Sequence, residues 1–181
     1  MQQASSHWQS KWTDFAQVRD TTYQLTEPTR WRSPQGPARA AFSGRLVGGC
    51  IDTLMHTAGT VFGDVAGFIR QHRGNGVVLY LENSGLSPTD WVRALHRLRW
   101  AGWLDGLSGV LIGRSAAADT TAADALRHAD ALQSTLGALR CPVLVDLDIG
   151  HVPPQLLLVN GALARITLTD GRPGRIEQRL I

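Results

Sequence analysis

The sequence predicts an α/β domain with a mixed sheet, and two observations lead to this class. From about Ala38 onward, apolar strand patterns alternate with amphipathic helical patterns, an order typical of parallel strands joined by helical crossovers. The last part of the chain then contains hairpin-like strand patterns around a glycine-rich turn, which add antiparallel pairs. The length of 181 residues is sufficient for one domain with a substantial core.

Residues 1–36 differ in composition and hydrophobic pattern from the rest of the chain. They are polar, contain Trp8, Trp12 and Trp31, and run into the turn-rich stretch RSPQGPA. No periodicity is sustained there, apart from a short helix predicted around residues 14–19. We therefore predict an ordered connector or arm over residues 1–36, followed by a domain over residues 37–181.

The predicted domain begins with a strand, a short helix and a second strand. The stretch AAFSGRLVGG (40–49) is typical of a strand that ends in a glycine turn, and IDTLMHTAGT (51–60) predicts a short helix closed by Gly59. The run GVVLYLE (76–82) is apolar and is bounded by glycine and polar residues, which predicts a buried strand.

The strongest helix signal follows this strand. Ser87 suits the N-cap, Pro88 suits the first helical position, and Gly102 suits the C-terminal stop. Three large apolar residues share one face at helical spacing and predict a stripe that packs on the core: Trp91, Leu95 and Leu98.

The remaining elements continue the alternation. LSGVLIG (107–113) predicts a strand, TTAADALRHADALQSTLGALR (120–140) a helix, and PVLVDLD (142–148) another strand. QLLLVNG (155–161) and ALARITLTDGRPGRIEQRLI (162–181) predict further strands around a glycine-rich turn.

Composition and charge exclude several classes of protein. Apolar residues make up 43% of the chain, no apolar run approaches the ~20 residues of a membrane span, and the N-terminus lacks the pattern of a secretory signal. We therefore expect a soluble protein without membrane contact. The formal charge is +3 and the arginines are scattered, so no nucleic-acid partner is expected.

Cys50 and Cys141 are predicted to be reduced thiols, and no metal or cofactor site is expected.

Polar side chains follow two of the predicted strands. Glu82 ends one of them, and Asp146, Asp148 and His151 lie at the end of another. Ligands of α/β sheets gather at the carboxyl ends of strands, so Glu82 and His151 could meet there. The carboxylate would then fix the tautomer of a ring that acts as general base. The alternative interpretation is a solvated glutamate and a turn histidine. No GxSxG elbow, Walker loop or GxGxxG fingerprint is present.

Several motifs, in order, resemble one known family. They are GRLVGGCIDTL, AGTVF, GVVLYLENSG, RALHRLRWAGWLDGLSGVLIGR and CPVLVDLDIGHVPPQLLLVNGALARI. Over residues 44–166, they are similar to the C-terminal domain of the LD-carboxypeptidase and microcin C immunity (MccF-like) serine peptidases. The arm, with Trp12-Thr13-Asp14 and Trp31, looks like the segment that precedes this domain in the MccF-like branch.

This resemblance implies a Ser-Glu-His triad on a two-domain fold. The nucleophile of such enzymes lies on a flavodoxin-like N-terminal domain, and a swivelling β/β/α C-terminal domain supplies the other two groups, which fall on Glu82 and His151. Family members hydrolyse an amide near a carboxylate, in a muropeptide or an aminoacyl-nucleotide conjugate. The resemblance further implies no metal or cofactor, a cytoplasmic location and a homodimer.

The sequence departs from the family pattern in three places. No strand–elbow–helix unit precedes Ala38, so we expect the flavodoxin-like domain to be lacking and the serine to come from a separate chain or an upstream segment. The chain has Gly48-Gly49-Cys50 where the family usually has GGN, and LVNG (158–161) where it has LPxG. Two alternatives stay open: a non-catalytic binding module or inactive remnant of a truncated gene, and Cys50 as a substitute nucleophile at the start of a helix.

Overall fold

The elements of the fold are given by a computed structural model, which describes residues 1–34, 36, 39–119, 122 and 124–180. In chain order they are β1 (Gln2–Gln3), β2 (His7–Trp8), β3 (Glu27–Pro28), β4 (Ala40–Cys50), α1 (Ile51–Leu54), α2 (Val65–Gln71), β5 (Val77–Glu82), α3 (Pro88–Trp100), β6 (Gly109–Gly113), α4 (His128–Leu136), β7 (Val143–Leu147), β8 (Leu163–Leu168) and β9 (Arg175–Arg179). The predicted α/β class with a mixed sheet is confirmed.

Strand β4 joins a parallel and an antiparallel half of one sheet. The strand order is β1-β9-β8-β4-β5-β6-β7. The first part of β4, from Ala40 to Arg45, pairs antiparallel with β8, and the part from Arg45 to Cys50 pairs parallel with β5. The strands β4, β5, β6 and β7 all run parallel, so their carboxyl ends share one edge of the sheet.

Both faces of the sheet are covered, which explains the unbroken apolar runs of its central strands. On one face, Leu79 and Leu81 pack in a core cluster with the helices. On the other, Val78 and Tyr80 pack in a second cluster that includes Trp31 of the arm. All six residues of β5 are therefore buried, as expected for a strand inside a mainly parallel sheet.

Helix α3 forms as its cap residues predict. The Ser87 side chain accepts a hydrogen bond from the Asp90 N–H at 3.2 Å, and Pro88 opens the helix. The helix ends at Trp100, two residues before the predicted stop at Gly102. The predicted apolar stripe is fully buried.

The predicted helix over residues 120–140 is shorter in the structure. Helix α4 begins at His128, where the Arg127 N–H donates to the Asp130 carboxylate at 3.1 Å and so caps the first turn. It ends at Leu136. The predicted residues Thr120, Thr121 and Ala123 lie outside the described part of the chain, as does Ala38, from which the alternating pattern was predicted to begin.

The prediction of a strand over residues 155–161 is wrong. This segment is irregular because side-chain amides, rather than a neighbouring strand, satisfy its backbone. The Leu157 N–H donates to Gln2 Oε1 at 2.9 Å, and the Leu157 carbonyl accepts from the Gln178 amide at 2.7 Å. The Val159 N–H donates to Gln178 Oε1 at 2.9 Å.

Two helix predictions near the start of the chain also need correction. Residues 15–17 form a turn rather than part of a helix, because the Asp14 carboxylate accepts the Ala16 N–H at 2.8 Å and favours the turn. The helix predicted over residues 51–60 stops at Leu54 and continues as turns. Helix α2, which the sequence did not predict, begins after Asp64, whose carboxylate accepts the Gly67 N–H at 2.7 Å.

The N-terminal arm packs along the sheet. Strand β1 pairs with β9 at one edge, and Arg32 forms an isolated bridge with Val145 of β7 at the other. The division between an arm over 1–36 and a domain over 37–181 stays a prediction, because residues 35, 37 and 38 lie outside the described part. No helix among the described residues has both the length and the apolar character to cross a membrane.

Candidate active site

The carboxyl edge of the sheet brings Glu82 and His151 together. His151 Nδ1 lies 3.0 Å from both carboxylate oxygens of Glu82. The two side chains differ in exposure: Glu82 is buried, with 5% of its side chain exposed, whereas 55% of the His151 side chain is exposed. The arrangement therefore has a fixed, enclosed carboxylate that holds an accessible imidazole ring.

The backbone directly before His151 passes so close to the Glu82 side chain that only glycine fits there. Gly150, directly before His151, has φ +97°, and a Cβ there would lie 2.5 Å from Glu82 Cγ and Oε2. A Cβ at Gly113 would lie 2.2 Å from the Ile149 carbonyl oxygen. Both glycines are thus required for the segment after β7 to lie against the end of β5.

Asp148 belongs to the same segment as His151, and its hydrogen bonds hold that segment in place rather than extending the Glu82–His151 pair. Its Oδ1 accepts from Arg114 Nη1 at 2.9 Å and from Ser5 Oγ at 2.6 Å. Its Oδ2 accepts from Trp31 Nε1 at 3.0 Å and from the Ser5 N–H at 3.2 Å. The Asp148 side chain is only 1% exposed, so the buried charge is compensated by an ion pair and a full set of donors.

Asp146, also named at this strand end, is not part of the pair. Its carboxylate forms a salt bridge with Arg32 of the arm, and its backbone has φ +64°. Of the four polar side chains predicted at the two strand ends, the structure therefore brings only Glu82 and His151 together.

Cys50 lies beside the pair, at the end of β4. It is the register partner of Glu82 in the parallel pairing of β4 and β5. Burial raises the pKa of the Cys50 thiol to about 11, and the hydrogen bond to Glu82 and its negative charge act in the same direction. Because the thiolate is the nucleophile, a thiol that stays protonated at neutral pH argues against Cys50 as a substitute nucleophile.

Comparison with known proteins identifies the family. Residues 43–166 match the model of the LD-carboxypeptidase C-terminal domain. This chain belongs to the LD-carboxypeptidase family. The predicted membership is confirmed, and a putative carboxypeptidase of Streptomyces coelicolor is 32% identical over 146 residues, which cover 78% of this chain and 43% of that relative.

Two solved structures share the fold of this LD-carboxypeptidase domain. An MccF-like protein from Streptococcus pneumoniae, in complex with AMP, superposes with a TM-score of 0.68 at 24% identity, over 90% of this chain and 49% of that one. The microcin C7 self immunity protein MccF, in complex with aspartyl sulfamoyl adenosine, superposes with a TM-score of 0.69 at 20% identity, over 92% and 48%. The chain thus spans about half the length of these proteins and corresponds to their family's C-terminal domain.

Residues that the sequence analysis missed hold the loop after Glu82. Asp52 accepts from the N–H groups of Ser84 at 3.1 Å and Gly85 at 2.8 Å. Asn83 is fully buried, and its side-chain nitrogen lies 3.1 Å from His128 Nε2. The position of Asn83 directly after a predicted strand was a signal in the sequence that could have singled it out. Its partner His128 lies on α4, 45 positions away, and no sequence signal connects the two.

A cleft formed by the arm lies next to the His151 segment. It has a volume of about 350 Å³, and its lining includes Gln9, Trp12, Phe15 and Tyr23. The three aromatic side chains are each at least 55% exposed. The Gln9 N–H donates to the carbonyl of Pro153 at 3.0 Å, which connects this cleft to the segment two residues after His151.

Proposed function

We propose that the chain is the C-terminal half of a serine peptidase of the Ser-Glu-His type, with Glu82 and His151 as two members of the triad. The observation that carries the proposal is the 3.0 Å approach of His151 Nδ1 to both oxygens of a buried carboxylate. The nucleophilic serine and the oxyanion donors would come from the N-terminal half of the family fold, on a longer chain or a separate one.

The proposed chemistry follows from the contact between the two side chains. Glu82 accepts the Nδ1–H of His151, which leaves Nε2 as the nitrogen that takes the proton of the serine hydroxyl. As the serine oxygen attacks the amide carbonyl, the ring becomes positively charged, and the carboxylate stabilises that charge. The ring then gives the proton to the leaving amine, and water repeats the sequence on the acyl-enzyme.

For the substrate, we favour an aminoacyl-nucleotide conjugate of the microcin C type over a muropeptide. The exposed rings of Trp12, Phe15 and Tyr23 offer faces on which a purine base can stack, close to the His151 segment. Likeness in fold to proteins in complex with AMP and with aspartyl sulfamoyl adenosine supports the same class. A muropeptide is the second candidate, since the family takes its name from LD-carboxypeptidases.

The test combines this chain with a family nucleophile domain and measures amide hydrolysis by chromatography, in buffer containing a chelator. The substrates are an aspartyl-nucleotide conjugate and a tetrapeptide muropeptide. We expect His151→Ala to lower the rate by ~10³-fold or more. The control His96→Ala changes a histidine that stacks on Trp100 of α3 and should leave the rate unchanged.

Two outcomes would contradict the proposal. One is a rate that is unaffected by His151→Ala and Glu82→Gln in a combination that does turn over substrate. The other is ligand binding without turnover in the combined halves, which would favour a non-catalytic binding module. We further propose, on the family resemblance, a cytoplasmic homodimer, which cell fractionation and light scattering would test.

A further inference from the structure

A third side chain extends the Glu82–His151 pair to a cluster of metal-ligand atoms. Among the described residues, the Cys50 sulfur, a Glu82 carboxylate oxygen and a His151 ring nitrogen all lie within 4.8 Å of one another. We propose that Cys50, Glu82 and His151 form a binding site for a thiophilic divalent cation, for which zinc(II) is the best fit.

The donor set and its spacing match this ion. Thiolate sulfur, imidazole nitrogen and carboxylate oxygen are the three ligand types that zinc(II) uses, at ~2.3, ~2.0 and ~2.1 Å, so tetrahedral donors lie roughly 3.3–3.8 Å apart. The separation of 3.0 Å between His151 Nδ1 and Glu82, and the limit of 4.8 Å for the whole cluster, bracket that range. Shifts of ~1 Å therefore suffice to place an ion, and the exposed His151 side chain has room to make them.

The surroundings of the cluster suit an open metal site. Three protein ligands leave a fourth position, which solvent can fill because His151 is largely exposed. The thiolate and the carboxylate offset the double charge of the ion, and the thiol proton leaves to solvent. The Cys50 thiol donates to Asp52 Oδ2 at 3.5 Å, and this bond is given up when the thiol proton leaves. Asp52 stays in place because it also accepts the Ser84 N–H at 3.1 Å.

The site depends on the residue at position 50. The family form GGN, which the chain resembles at Gly48-Gly49-Cys50, carries an amide there, and an amide does not replace a thiolate as a zinc ligand. The ion would occupy the atoms through which Glu82 and His151 act, so it would inhibit hydrolysis reversibly. This consequence for hydrolysis rests on the function proposed above, whereas binding of the ion does not.

Cobalt(II) chloride tests the site directly, because cobalt bound to a thiolate shows a charge-transfer band in the near ultraviolet. We expect one equivalent of cobalt to produce this band in the wild-type chain, and zinc chloride to remove it by displacement. Cys50→Ala should abolish the band and weaken zinc binding by at least ~10-fold. The matched control Cys141→Ala removes the other free cysteine and should leave both unchanged.

Circular dichroism would establish that the variants are folded. Glu82→Gln is a second test, which keeps the Cys50 thiol, and we expect it to weaken zinc binding by ~10-fold as well. The proposal is overturned by a wild-type chain without the band, by equal zinc affinity in Cys50→Ala, or by loss of the band in Cys141→Ala. Because these titrations need no substrate and the hydrolysis assay contains a chelator, failure of one proposal is distinguishable from failure of the other.

Discussion

The close approach of the Gly150 backbone to the Glu82 side chain can be tested by adding a single methyl group, with the substitution Gly150→Ala. Gly150 has φ +97°, and its added Cβ would lie 2.5 Å from Glu82 Oε2. The control is Gly171→Ala. Gly171 has φ +73°, no atom lies within 4 Å of the added Cβ, and the turn it occupies between β8 and β9 is at the opposite end of the sheet.

The expected magnitudes follow from this difference. A positive φ costs an alanine ~1–2 kcal/mol, and this cost is common to both variants. Overlap with the buried Glu82 side chain adds a further ~1–3 kcal/mol at Gly150 alone. We therefore expect the free energy of unfolding to fall by ~2–5 kcal/mol in Gly150→Ala and by ~1–2 kcal/mol in Gly171→Ala.

Urea titration followed by tryptophan fluorescence measures both free energies, provided that the slopes with denaturant are equal. The difference between the variants isolates the contact with Glu82. Equal losses in the two variants would show that Glu82 and the His151 segment do not press on each other, and would refute the geometry on which the paired acid and imidazole depend.

Three further predictions concern the anchor, the thiol and the arm. Asp148→Ala leaves a buried arginine without its partner and should cost ~3–5 kcal/mol in urea unfolding, whereas Asp170→Ala, in an exposed pair, should cost at most ~1 kcal/mol; equal costs would contradict this. The pKa of Cys50 is raised above its ordinary 9.0 to about 11, so the stabilising contribution of its protonated thiol is fully present below pH 9 and is lost as pH rises through 11. In a chain whose other cysteine is removed by Cys141→Ala, alkylation of Cys50 should accelerate over that range, and a rate that reaches its plateau below pH 9 would contradict the prediction. Trp12→Ala should weaken AMP binding by ~1–3 kcal/mol in calorimetry, and the exposed Trp100→Ala should not; equal effects would contradict stacking in the cleft.

Local signals account for what the sequence predicted well. The N-cap at Ser87 and the proline after it fix the start of α3 within a few residues, and the fully apolar β5 predicts a central strand. The meeting of Glu82 and His151 follows from one general property of parallel sheets, that their strands end at one edge. What no local signal carries is the register that sets Cys50 opposite Glu82, since it depends on the pairing of β4 with β5.

Long-range hydrogen bonds account for what the sequence could not predict. The segment over 155–161 has the pattern of a strand, but its backbone is satisfied by the side chains of Gln2 and Gln178. Likewise, Asp148 was predicted only as a polar residue at a strand end, and one of its partners, Ser5, is 143 positions away in the chain. Such contacts join residues that are far apart in the chain, so no local pattern reveals them.

The arm is part of the proposed active site rather than an attachment to it. Two bonds fix the segment that carries His151 on either side: Asp148, three residues before the histidine, is held by Ser5, and the carbonyl of Pro153, two residues after it, is held by the Gln9 N–H. Both partners come from the first ten residues of the chain. The position of the imidazole ring over Glu82 therefore depends on the bonds that the arm makes to this segment.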